Sequence, residues 1–348
     1  MKKLFYLFMV AMCATMFLAC SDDDDKDPLD DDGEGKEGVI TMTTEKTYIH
    51  LYVATFNEGD IITIDWGDGD PEEFKSFKVY QDWDEDEIHY VLSTDDIEHK
   101  YSNKNPHIVT IKGNIKGLDC YYNNLTSLNV SGCTALIWLD CHENNLTSLD
   151  VSKNTALIYL SCSSNNLTSL DVSKNTALTY LDCRHNDLTS LDVSKNTELT
   201  YLDCSHNDLT SLDVSKNTEL TELNCSHNDL TSLDVSKNTA LTDLRCYCMK
   251  DLTSLDVSGC TALTYLECDD NNLTSLNVSG CTALIYLSCS SNNLTSSALN
   301  QIFRDLPQGK KLEYNPFQST ISIYGNPGTE TCDKSIAENK GWKVNTTW

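Results

Sequence analysis

Cysteine is the residue whose type and spacing first point to chemistry in this sequence. Nine of the 16 cysteines recur at intervals of 21 residues, with one interval of 22 between the seventh and the eighth. They are Cys120, Cys141, Cys162, Cys183, Cys204, Cys225, Cys246, Cys268 and Cys289. A regular column of thiols could form disulfides, bind a metal ion or stay reduced as a row of small buried side chains.

The geometry expected of this column favours reduced thiols. If each cysteine belongs to one of a series of stacked parallel strands, neighbouring Cβ atoms lie about 4.8 Å apart and point the same way, whereas a disulfide needs about 3.8 Å. A zinc site needs ligands that converge, and a straight column does not converge. We therefore expect a ladder of unbonded, buried thiols, with no metal and no cofactor.

Serine, histidine and aspartate also occur together, in the repeated phrase SHND, for example as Ser205, His206 and Asp208. Neighbouring side chains on a strand point to opposite faces, so this phrase does not build a catalytic triad. The stacked histidines His185, His206 and His227 would be parallel and exposed, which suits only adventitious metal binding. The sequence has no HExxH, GxSxG or phosphate-loop motif, and we expect that the protein is not an enzyme.

The element that must position these residues is a 21-residue repeat. A typical copy, LIWLDCHENNL at residues 136–146, fits the L-x-x-L-x-C-x-x-N-x-L pattern of leucine-rich repeats. Each copy supplies a short strand with Leu139 and Cys141, or their equivalents, pointing inward, and stacked copies bury each other's apolar edges. An asparagine three residues after most ladder cysteines is expected to bond the backbone of the turn. These are Asn144, Asn165, Asn186, Asn207, Asn228, Asn271 and Asn292.

The full unit, L-x-C-x-x-N-x-L-T-S-L-D-V-S-x-N-T-x-L, resembles the cysteine-ladder repeats of internalin J-like bacterial surface proteins. The resemblance runs from roughly Ile115 to Leu294, about half of the chain. It implies a protein of adhesion or interaction rather than catalysis. We predict an α/β horseshoe over residues 114–295, a leucine-rich repeat solenoid with a parallel β-sheet, mostly strand and coil with little helix.

Two departures interrupt the repeat. Cys133, Cys260 and Cys281 replace the asparagine of S-K-N-T, and the adjacent pair Cys260 and Cys281 stacks either as thiols or as a disulfide. At residues 246–252, the phrase CYCMKDL has one extra residue and lacks the ladder asparagine. We expect a local bulge there, which is either a tolerated insertion or a notch in the binding face.

Outward positions of the strands define the candidate binding face, on the concave side of the horseshoe. The position three residues before each ladder cysteine is mostly aromatic, and the position one before it is often acidic. The candidate ligand-binding residues are Trp138, Tyr159, Tyr180, Tyr201, Tyr265, Tyr286, Asp140, Asp182, Asp203, Arg245 and Glu267. The aromatic stripe either stacks on itself or forms a contact platform. The acidic stripe is either a solvated face or a match for a cation or a basic partner.

The N-terminus indicates export. Two lysines precede a 16-residue apolar run, Leu4 to Ala19, which is short for a membrane-spanning helix and ends at Cys20. Residues 1–20 resemble a bacterial lipoprotein signal with Cys20 lipidated; the alternative is an ordinary secretory signal. Residues 21–37 contain ten acids against two lysines, which predicts a disordered tether. This acidic run resembles the surface-export signal of Bacteroidota lipoproteins.

Two flanking regions frame the repeats. Residues 38–113 carry the segments IITIDWGDGD and HKY, which resemble a PKD-like β domain that would cap the first repeat. Residues 296–348 predict a C-terminal cap with a helix in SSALNQIFRDLP, a strand, a second short helix capped by Asp333, and Trp342 and Trp348 packed on the last layer.

Charge and motifs together favour a binding function. A formal net charge of −28 excludes nucleic acid as a partner and leaves the lipid anchor as the contact with a membrane. We predict a lipid-anchored protein of the bacterial outer membrane, facing the cell exterior, that mediates adhesion or protein recognition through the concave face. The alternatives are a glycan-binding module and, third, a structural envelope spacer.

Overall fold

The computed structural model describes residues 37–57, 59–75, 77–78, 80–84, 87–91, 97–310 and 319–347. The predicted signal segment with Cys20, the acidic tether up to Lys36, and Trp348 lie outside these residues. No helix in the described ranges is long and apolar enough to cross a membrane.

The first part of the described chain is built from short strands rich in β-branched and aromatic residues. The strands are β1 (Gly38–Thr44), β2 (Tyr48–Thr55), β3 (Ile61–Asp65), β4 (Glu72–Lys75), β5 (Phe77–Lys78), β6 (Tyr80–Asp84), β7 (Glu87–Val91), β8 (Ile97–Lys100), β9 (His107–Gly113), β10 (Ile115–Asp119) and β11 (Leu125–Asn129). Side chains alternate between the two faces of the strand: Ile40 and Met42 on β1 are buried, whereas Val39 on the same strand is 39% exposed.

A tight turn after β3 lies within the first of the two segments on which the PKD resemblance rests. Gly67 adopts a φ of +81°, and a Cβ atom there would lie 2.7 Å from the carbonyl oxygen of Ile108, so the position requires glycine. Trp66 is buried, and its carbonyl accepts a hydrogen bond of 3.0 Å from the Tyr101 hydroxyl. The W-G-D-G segment and the later H-K-Y segment therefore pack together.

From β10 onward, each repeat contributes a three-residue strand to one parallel sheet. The remaining strands are β12 (Trp138–Asp140), β13 (Tyr159–Ser161), β14 (Tyr180–Asp182), β15 (Tyr201–Asp203), β16 (Glu222–Asn224), β17 (Ser232–Asp234), β18 (Asp243–Arg245), β19 (Ser254–Asp256), β20 (Tyr265–Glu267), β21 (Tyr286–Ser288), β22 (Thr320–Ser322) and β23 (Lys343–Asn345). All of them join this sheet in sequence order except β17 and β19. The predicted solenoid with a parallel sheet and little helix is confirmed.

The repeat folds this way because its apolar positions recur at the same place in every coil. In the copy around β14, Leu178, Leu181, Cys183, Leu188 and Val193 are all fully buried. Strand registers pair each residue with its equivalent one repeat away, so every apolar column is continuous through the stack. Neighbouring coils therefore supply the core that a single coil lacks.

The asparagines bond the turns as predicted. In Asn165, the side-chain NH2 donates to the carbonyl oxygens of Cys141 and Cys162 at 3.0 Å each, and Oδ1 accepts from the backbone N–H of Leu146 at 3.0 Å. The residue before each ladder asparagine has a left-handed backbone, for example Ser164 with φ 53°. The amide thus satisfies backbone groups that this turn would leave unpaired.

The extra residue of the irregular repeat lies in a turn and leaves the parallel sheet unchanged. β18 keeps the regular register with both neighbours, with Arg245 opposite Asn224 and Glu267. Met249 takes the place of the ladder asparagine and is fully buried. On the opposite side of the coil, β17 from before this turn and β19 from after it pair in parallel. The regular register of β18 favours the alternative of a tolerated insertion over that of a notch in the binding face.

Strands from the N-terminal region cover the first coil. β2 pairs antiparallel with β10 at the edge of the long sheet, and β1 pairs antiparallel with β11 on the other side of the coil. Asn123 continues the ladder into this region, since its side chain donates to the His50 carbonyl oxygen at 2.7 Å. The N-terminal strands are thus hydrogen-bonded directly to the repeat stack.

The C-terminal segment covers the last coil with two helices, α1 (Ser296–Asp305) and α2 (Ser335–Glu338). Thr295 caps α1, which buries Leu299, Ile302 and Phe303. Trp342 is 1% exposed and its indole N–H donates to the Pro307 carbonyl oxygen at 2.8 Å.

Two details of this cap were not predicted. Lys334, not Asp333, is the N-cap residue of α2, although the Asp333 carboxylate still accepts from the Ser335 N–H at 3.2 Å. The asparagine ladder also extends into the cap, because Asn326 accepts from the Leu294 N–H at 3.0 Å and donates to the Cys289 carbonyl oxygen at 2.9 Å.

Candidate binding face on the long sheet

Aromatic rings at the first position of the strands stack on the outward side of the parallel sheet, which we call the sheet face. The first row consists of Trp138, Tyr159, Tyr180 and Tyr201, with ring centroids 5.1, 4.4 and 4.3 Å apart in that order. A second pair, Tyr265 and Tyr286, has centroids 4.4 Å apart. Adjacent planes differ by no more than 18°, because the strand register places the rings directly above one another.

Stacking decides which part of each ring meets solvent. Tyr180 lies between Tyr159 and Tyr201, so both of its ring faces are covered and its edge and hydroxyl remain. Burial raises the pKa of Tyr180 to about 12, so the phenol keeps its proton at neutral pH. The sheet face therefore presents ring edges and hydroxyl donors, which suits contact with a protein surface.

The aspartates beside the rings are much less exposed than the simple alternation of a strand predicts. Asp182 is 3% and Asp203 is 2% exposed. Asp182 accepts from the Arg184 N–H at 3.1 Å, and Asp203 accepts from the N–H and hydroxyl of Ser205 at 2.9 and 2.6 Å. These carboxylates hold the end of the strand, and the expectation of a solvated acidic stripe is corrected at both positions.

Arg184 supplies the positive charge that these carboxylates need. Its guanidinium lies 3.5 Å from Asp182 and 3.5 Å from Asp203, so it bridges two neighbouring repeats. Burial raises the pKa of Asp182 to about 6, and Arg184 acts in the opposite direction. Sequence reasoning left Arg184 out of the site, although its position directly after Cys183 was a signal that it lies on this face.

The N-terminal end of the sheet face holds a second group that the sequence did not reveal. His142 Nδ1 lies 2.6 Å from Asp140 Oδ1, and the Tyr121 ring stacks on His142 with centroids 4.9 Å apart. His50, from the non-repeating β2, meets Tyr121 edge-on. Burial is the main cause that raises the pKa of Asp119 to about 7. The repeat register places Asp119 beside Asp140 and Tyr121 beside His142, and the pairing of β2 with β10 adds His50 to this group.

The aromatic row breaks in the middle of the sheet. Glu222 and Asp243 occupy the first position of the two strands between Tyr201 and Tyr265. Arg245 binds Asp243 at 3.1 Å and lies 3.8 Å from Glu267. Of the predicted site residues, Arg245 and Glu267 are thus paired with each other across adjacent strands.

Three histidines stack at the edge of the sheet face rather than on it. His185, His206 and His227 have ring centroids 4.0 Å apart and left-handed backbones. Burial and the neighbouring histidines lower the pKa of His206. Within the described residues, no three histidine, cysteine or acidic side chains are arranged to hold a metal ion.

The ladder cysteines lie inside the coil, behind the sheet face. All nine are fully buried free thiols, and burial raises the pKa of each above its ordinary value. Cys120 Sγ donates to the Asp140 carbonyl oxygen at 3.4 Å, and Cys268 Sγ donates to that of Ser288 at 3.3 Å. These thiols link neighbouring coils and are poor nucleophiles at neutral pH.

The buried cysteines of the S-G-C-T turns and the SHND phrase also have structural contacts. Cys260 Sγ donates to the Val235 carbonyl oxygen at 3.3 Å, and the adjacent Cys281 is a separate free thiol. Cys133 is also buried and free, whereas Cys248 and Cys332 are free and partly exposed. The Ser205 hydroxyl bonds Asp203 rather than a histidine, so SHND does not form a catalytic triad.

Comparison with known proteins gives similarity to internalins. No family model matches the chain, and no curated protein matches it. Among solved structures, the functional domain of InlJ from Listeria monocytogenes, which includes a cysteine ladder, is 36% identical over 66% of this chain, with a TM-score of 0.49. The chain spans 53% of that structure. An internalin, InlF, from Listeria monocytogenes is 17% identical over 67% of this chain and 87% of its own, with a TM-score of 0.34.

Proposed function

We propose that this chain is a cell-surface binding protein that recognises a protein partner through the sheet face, in adhesion or protein recognition. The observation that carries the proposal is the row of stacked tyrosine edges and hydroxyls over buried, paired carboxylates. Aromatic and arginine side chains supply most of the binding energy at many protein interfaces. Here both types recur on neighbouring strands of one sheet.

The side chains of the sheet face are held in place by their neighbours, which favours binding of a partner. The tyrosine rings are held by their neighbours at 4.3 to 4.4 Å, and Arg184 is held between two aspartates. Side chains that are ordered before binding lose little conformational entropy when a partner docks. A partner would therefore meet a preformed surface.

Catalysis has little support by comparison. The ladder thiols are buried with raised pKa values, and Ser205 of SHND is only 3% exposed, with its hydroxyl donating to the Asp203 carboxylate rather than to a histidine. A nucleophile needs exposure and an adjacent base. We therefore propose binding without chemistry.

Glycan binding is less suited to the geometry. A sugar ring would have to stack on an open aromatic face, and both faces of Tyr159 and Tyr180 are covered by neighbouring rings. Hydroxyl donors on ring edges fit peptide carbonyls and carboxylates as well. The glycan alternative remains an outcome of the experiment below.

For display, we propose a lipid at Cys20 that anchors the protein at the bacterial outer membrane, with the acidic residues 21–37 as the spacer and the repeats facing the exterior. The support is the N-terminal sequence: two lysines, an apolar run and an alanine before Cys20. Intact-mass measurement of the protein purified from membranes tests it. A diacyl or triacyl mass on an N-terminal Cys20 is expected, and an unmodified N-terminus at another residue would contradict it.

The binding proposal is tested by a protein and glycan array probed with the purified protein. Replacing both Tyr180 and Tyr201 with alanine should weaken capture of the selected partner by at least about tenfold, as expected for interface hot spots. Tyr122→Ala is the matched control, since it removes a ring that is 54% exposed on a turn outside the sheet face.

Three further results separate the alternatives. Tyr180→Phe with Tyr201→Phe keeps the stack and removes the hydroxyls; a large loss shows that the hydroxyls form hydrogen bonds with the partner. Selection of glycans alone would replace the protein-binding proposal with the glycan one. Capture that is equally strong for the alanine pair and the Tyr122 control would mean that another surface binds.

A further inference from the structure

Three imidazole rings, those of His185, His206 and His227, lie in a row along the edge of the sheet face, and we call this row the histidine stack. Neighbouring ring centroids are 4.0 Å apart, and the ring planes differ by 14° and 15°. His206 lies in the middle, with an imidazole over each of its faces, and Tyr247 meets His227 edge-on at 5.3 Å. A proton on one ring therefore acts on the next ring at contact distance.

The backbone imposes this spacing. The His185 N–H donates to the Ser205 carbonyl oxygen at 2.9 Å, and the His206 N–H donates to that of Ser226 at 2.9 Å. The three histidines have left-handed backbones, with φ of 53°, 53° and 54°, and each directly precedes a ladder asparagine. Because these bonds hold the coils together, the coils cannot separate to relieve repulsion between charged rings.

Charged groups of both signs surround the stack. Burial is the main cause that lowers the pKa of His206, and the other two histidines and Arg184 add to it, whereas Asp203 opposes it. Burial and His185 likewise lower the pKa of His227, which Asp270 opposes. Each histidine is also followed two residues later by an exposed aspartate, and these are Asp187, Asp208 and Asp229.

The ends of the stack carry groups that are neutral at pH 7. Ser164 occupies the position equivalent to His185 in the preceding coil, and Glu143 lies one coil further away. Cys248 occupies the position equivalent to His227 in the following coil, and burial raises the pKa of its thiol. Burial also raises the pKa of Tyr247. The imidazoles are thus the groups of this row that change charge between neutral and mildly acidic solution.

Protonation of the stack would change the charge at one edge of the sheet face. An ordinary histidine titrates near pH 6.5, so the stack is mainly neutral at pH 7.5 and gains positive charge as the pH falls below that value. The chain has a formal net charge of −28, which attracts basic partners. Positive charge at this edge opposes their docking.

We propose that the histidine stack makes docking on the sheet face pH-dependent: a partner with a basic surface binds while the stack is neutral and is released as the stack becomes charged in mildly acidic solution. This inference rests on the proposed function, because it adds regulation to the same face. The geometry that carries it is a row of three imidazoles held at contact distance by the backbone.

Binding of a fluorescein-labelled octa-lysine peptide to the purified protein at low salt, followed by anisotropy at pH 7.5 and pH 5.5, tests the switch. The unaltered protein should bind about tenfold more weakly at pH 5.5, and the triple variant His185→Asn, His206→Asn and His227→Asn only about threefold more weakly. The remaining change comes from carboxyls such as Asp119 and Asp243, whose pKa values burial raises to about 7.

Two controls accompany the triple variant. Asparagine tolerates a left-handed backbone, so an unchanged circular dichroism spectrum is expected. His99→Asn removes an imidazole outside the stack and should keep the tenfold change of the unaltered protein. Equal pH dependence for the triple variant and the unaltered protein would overturn the switch, since the carboxyls alone would then account for it.

A second measurement does not depend on any bound molecule. Replacing His185 and His227 with asparagine should raise the pKa of His206, measured by NMR titration of its ring protons, because both neighbouring charges are removed. An unchanged His206 titration would overturn the coupling on which the switch rests.

Capture experiments distinguish failure of the switch from failure of the proposed function. A captured partner that is lost by the Tyr180 and Tyr201 alanine pair, but released by acid equally from the triple variant, overturns the switch and leaves the proposed function intact. Octa-lysine binding that depends on the stack, together with a captured partner that ignores the alanine pair, would contradict the proposed function alone.

Discussion

The side-chain amide of each ladder asparagine forms hydrogen bonds with two neighbouring coils. Asn207 donates to the carbonyl oxygens of Cys183 and Cys204 at 3.1 and 3.0 Å, and its Oδ1 accepts from the Leu188 N–H at 3.0 Å. Each ladder asparagine thus satisfies backbone groups of its own coil and of the preceding one. Met249 cannot repeat these bonds, because a thioether has no N–H donor.

Replacing Asn207 with alanine should destabilise the protein by about 3 kcal/mol, because several buried backbone groups lose their partners at once. Asp208→Ala, on the exposed residue beside it, should change the free energy of unfolding by less than about 0.5 kcal/mol. Urea denaturation followed by circular dichroism measures both. Similar stabilities for the two variants would show that the amide ladder is dispensable.

Because the Asp119 carboxyl is largely buried, the free energy of unfolding should fall as the pH rises. Burial raises its pKa in the folded state to about 7, from about 3.9 in an unfolded chain. The protonated carboxyl is the form that the fold favours, so its contribution is complete below about pH 4 and is lost as the pH rises through 7. Asp119→Asn should therefore reduce the drop in melting temperature between pH 5 and pH 8.

Asp150→Asn is the control for this pH experiment. The Ser152 N–H bonds the exposed Asp150 carboxylate at 2.9 Å and lowers its pKa, so its contribution is present above about pH 4 and is lost only in more acidic solution. The variant should leave the change between pH 5 and pH 8 as it is. An Asp119→Asn profile identical to that of the unaltered protein would refute the assignment.

At the scale of elements, the repeat uses two versions of the turn opposite the sheet. In S-K-N-T turns, the asparagine donates to backbone carbonyls of the preceding coil, for example Asn238 to Val214 and Asn217. In S-G-C-T turns, Cys260 Sγ donates to Val235. The Oδ1 of Asn238 is buried without a hydrogen-bond partner, and the thiol has no such acceptor to leave unpaired.

In the S-G-C-T turns, glycine precedes the cysteine because neighbouring coils approach each other too closely there for a Cβ atom. A Cβ atom on Gly259 would lie 1.9 Å from the Ser236 carbonyl oxygen. Gly259→Ala should therefore cost about 1–3 kcal/mol through backbone displacement. Lys237→Ala, at the equivalent exposed position of an S-K-N-T turn, should cost less than about 0.5 kcal/mol. Equal melting temperatures for the two variants would contradict the close approach.

At the scale of the whole molecule, the stack was predictable because one pattern is repeated. The 21-residue period and the inward cysteines define the parallel sheet, and the asparagines identify its turns. Register follows, since any slip would misplace every apolar column at once. The same argument fails where the pattern stops, so the pairing of β2 with β10 and the group around His50 and Tyr121 were not predicted.

The sequence predicted which residues lie on the sheet face but not how exposed their side chains are. Alternation places Tyr180 and Asp182 outward, and the tyrosines do lie there. The aspartates are covered because the chain turns directly after the cysteine and its N–H groups bond them, as Arg184 does with Asp182. A three-residue strand is so short that backbone N–H groups of the following turn reach its side chains. The alternation rule for long strands does not include these contacts.

Hydroxyl-radical footprinting of the protein with and without its captured partner tests the central claim most directly. The account predicts that partner binding protects Tyr159, Tyr180 and Tyr201 on the sheet face and leaves Tyr122 and the exposed S-K-N-T turns as reactive as before. Protection confined to those turns, with unchanged reactivity of the three stacked tyrosines, would contradict recognition through the sheet face.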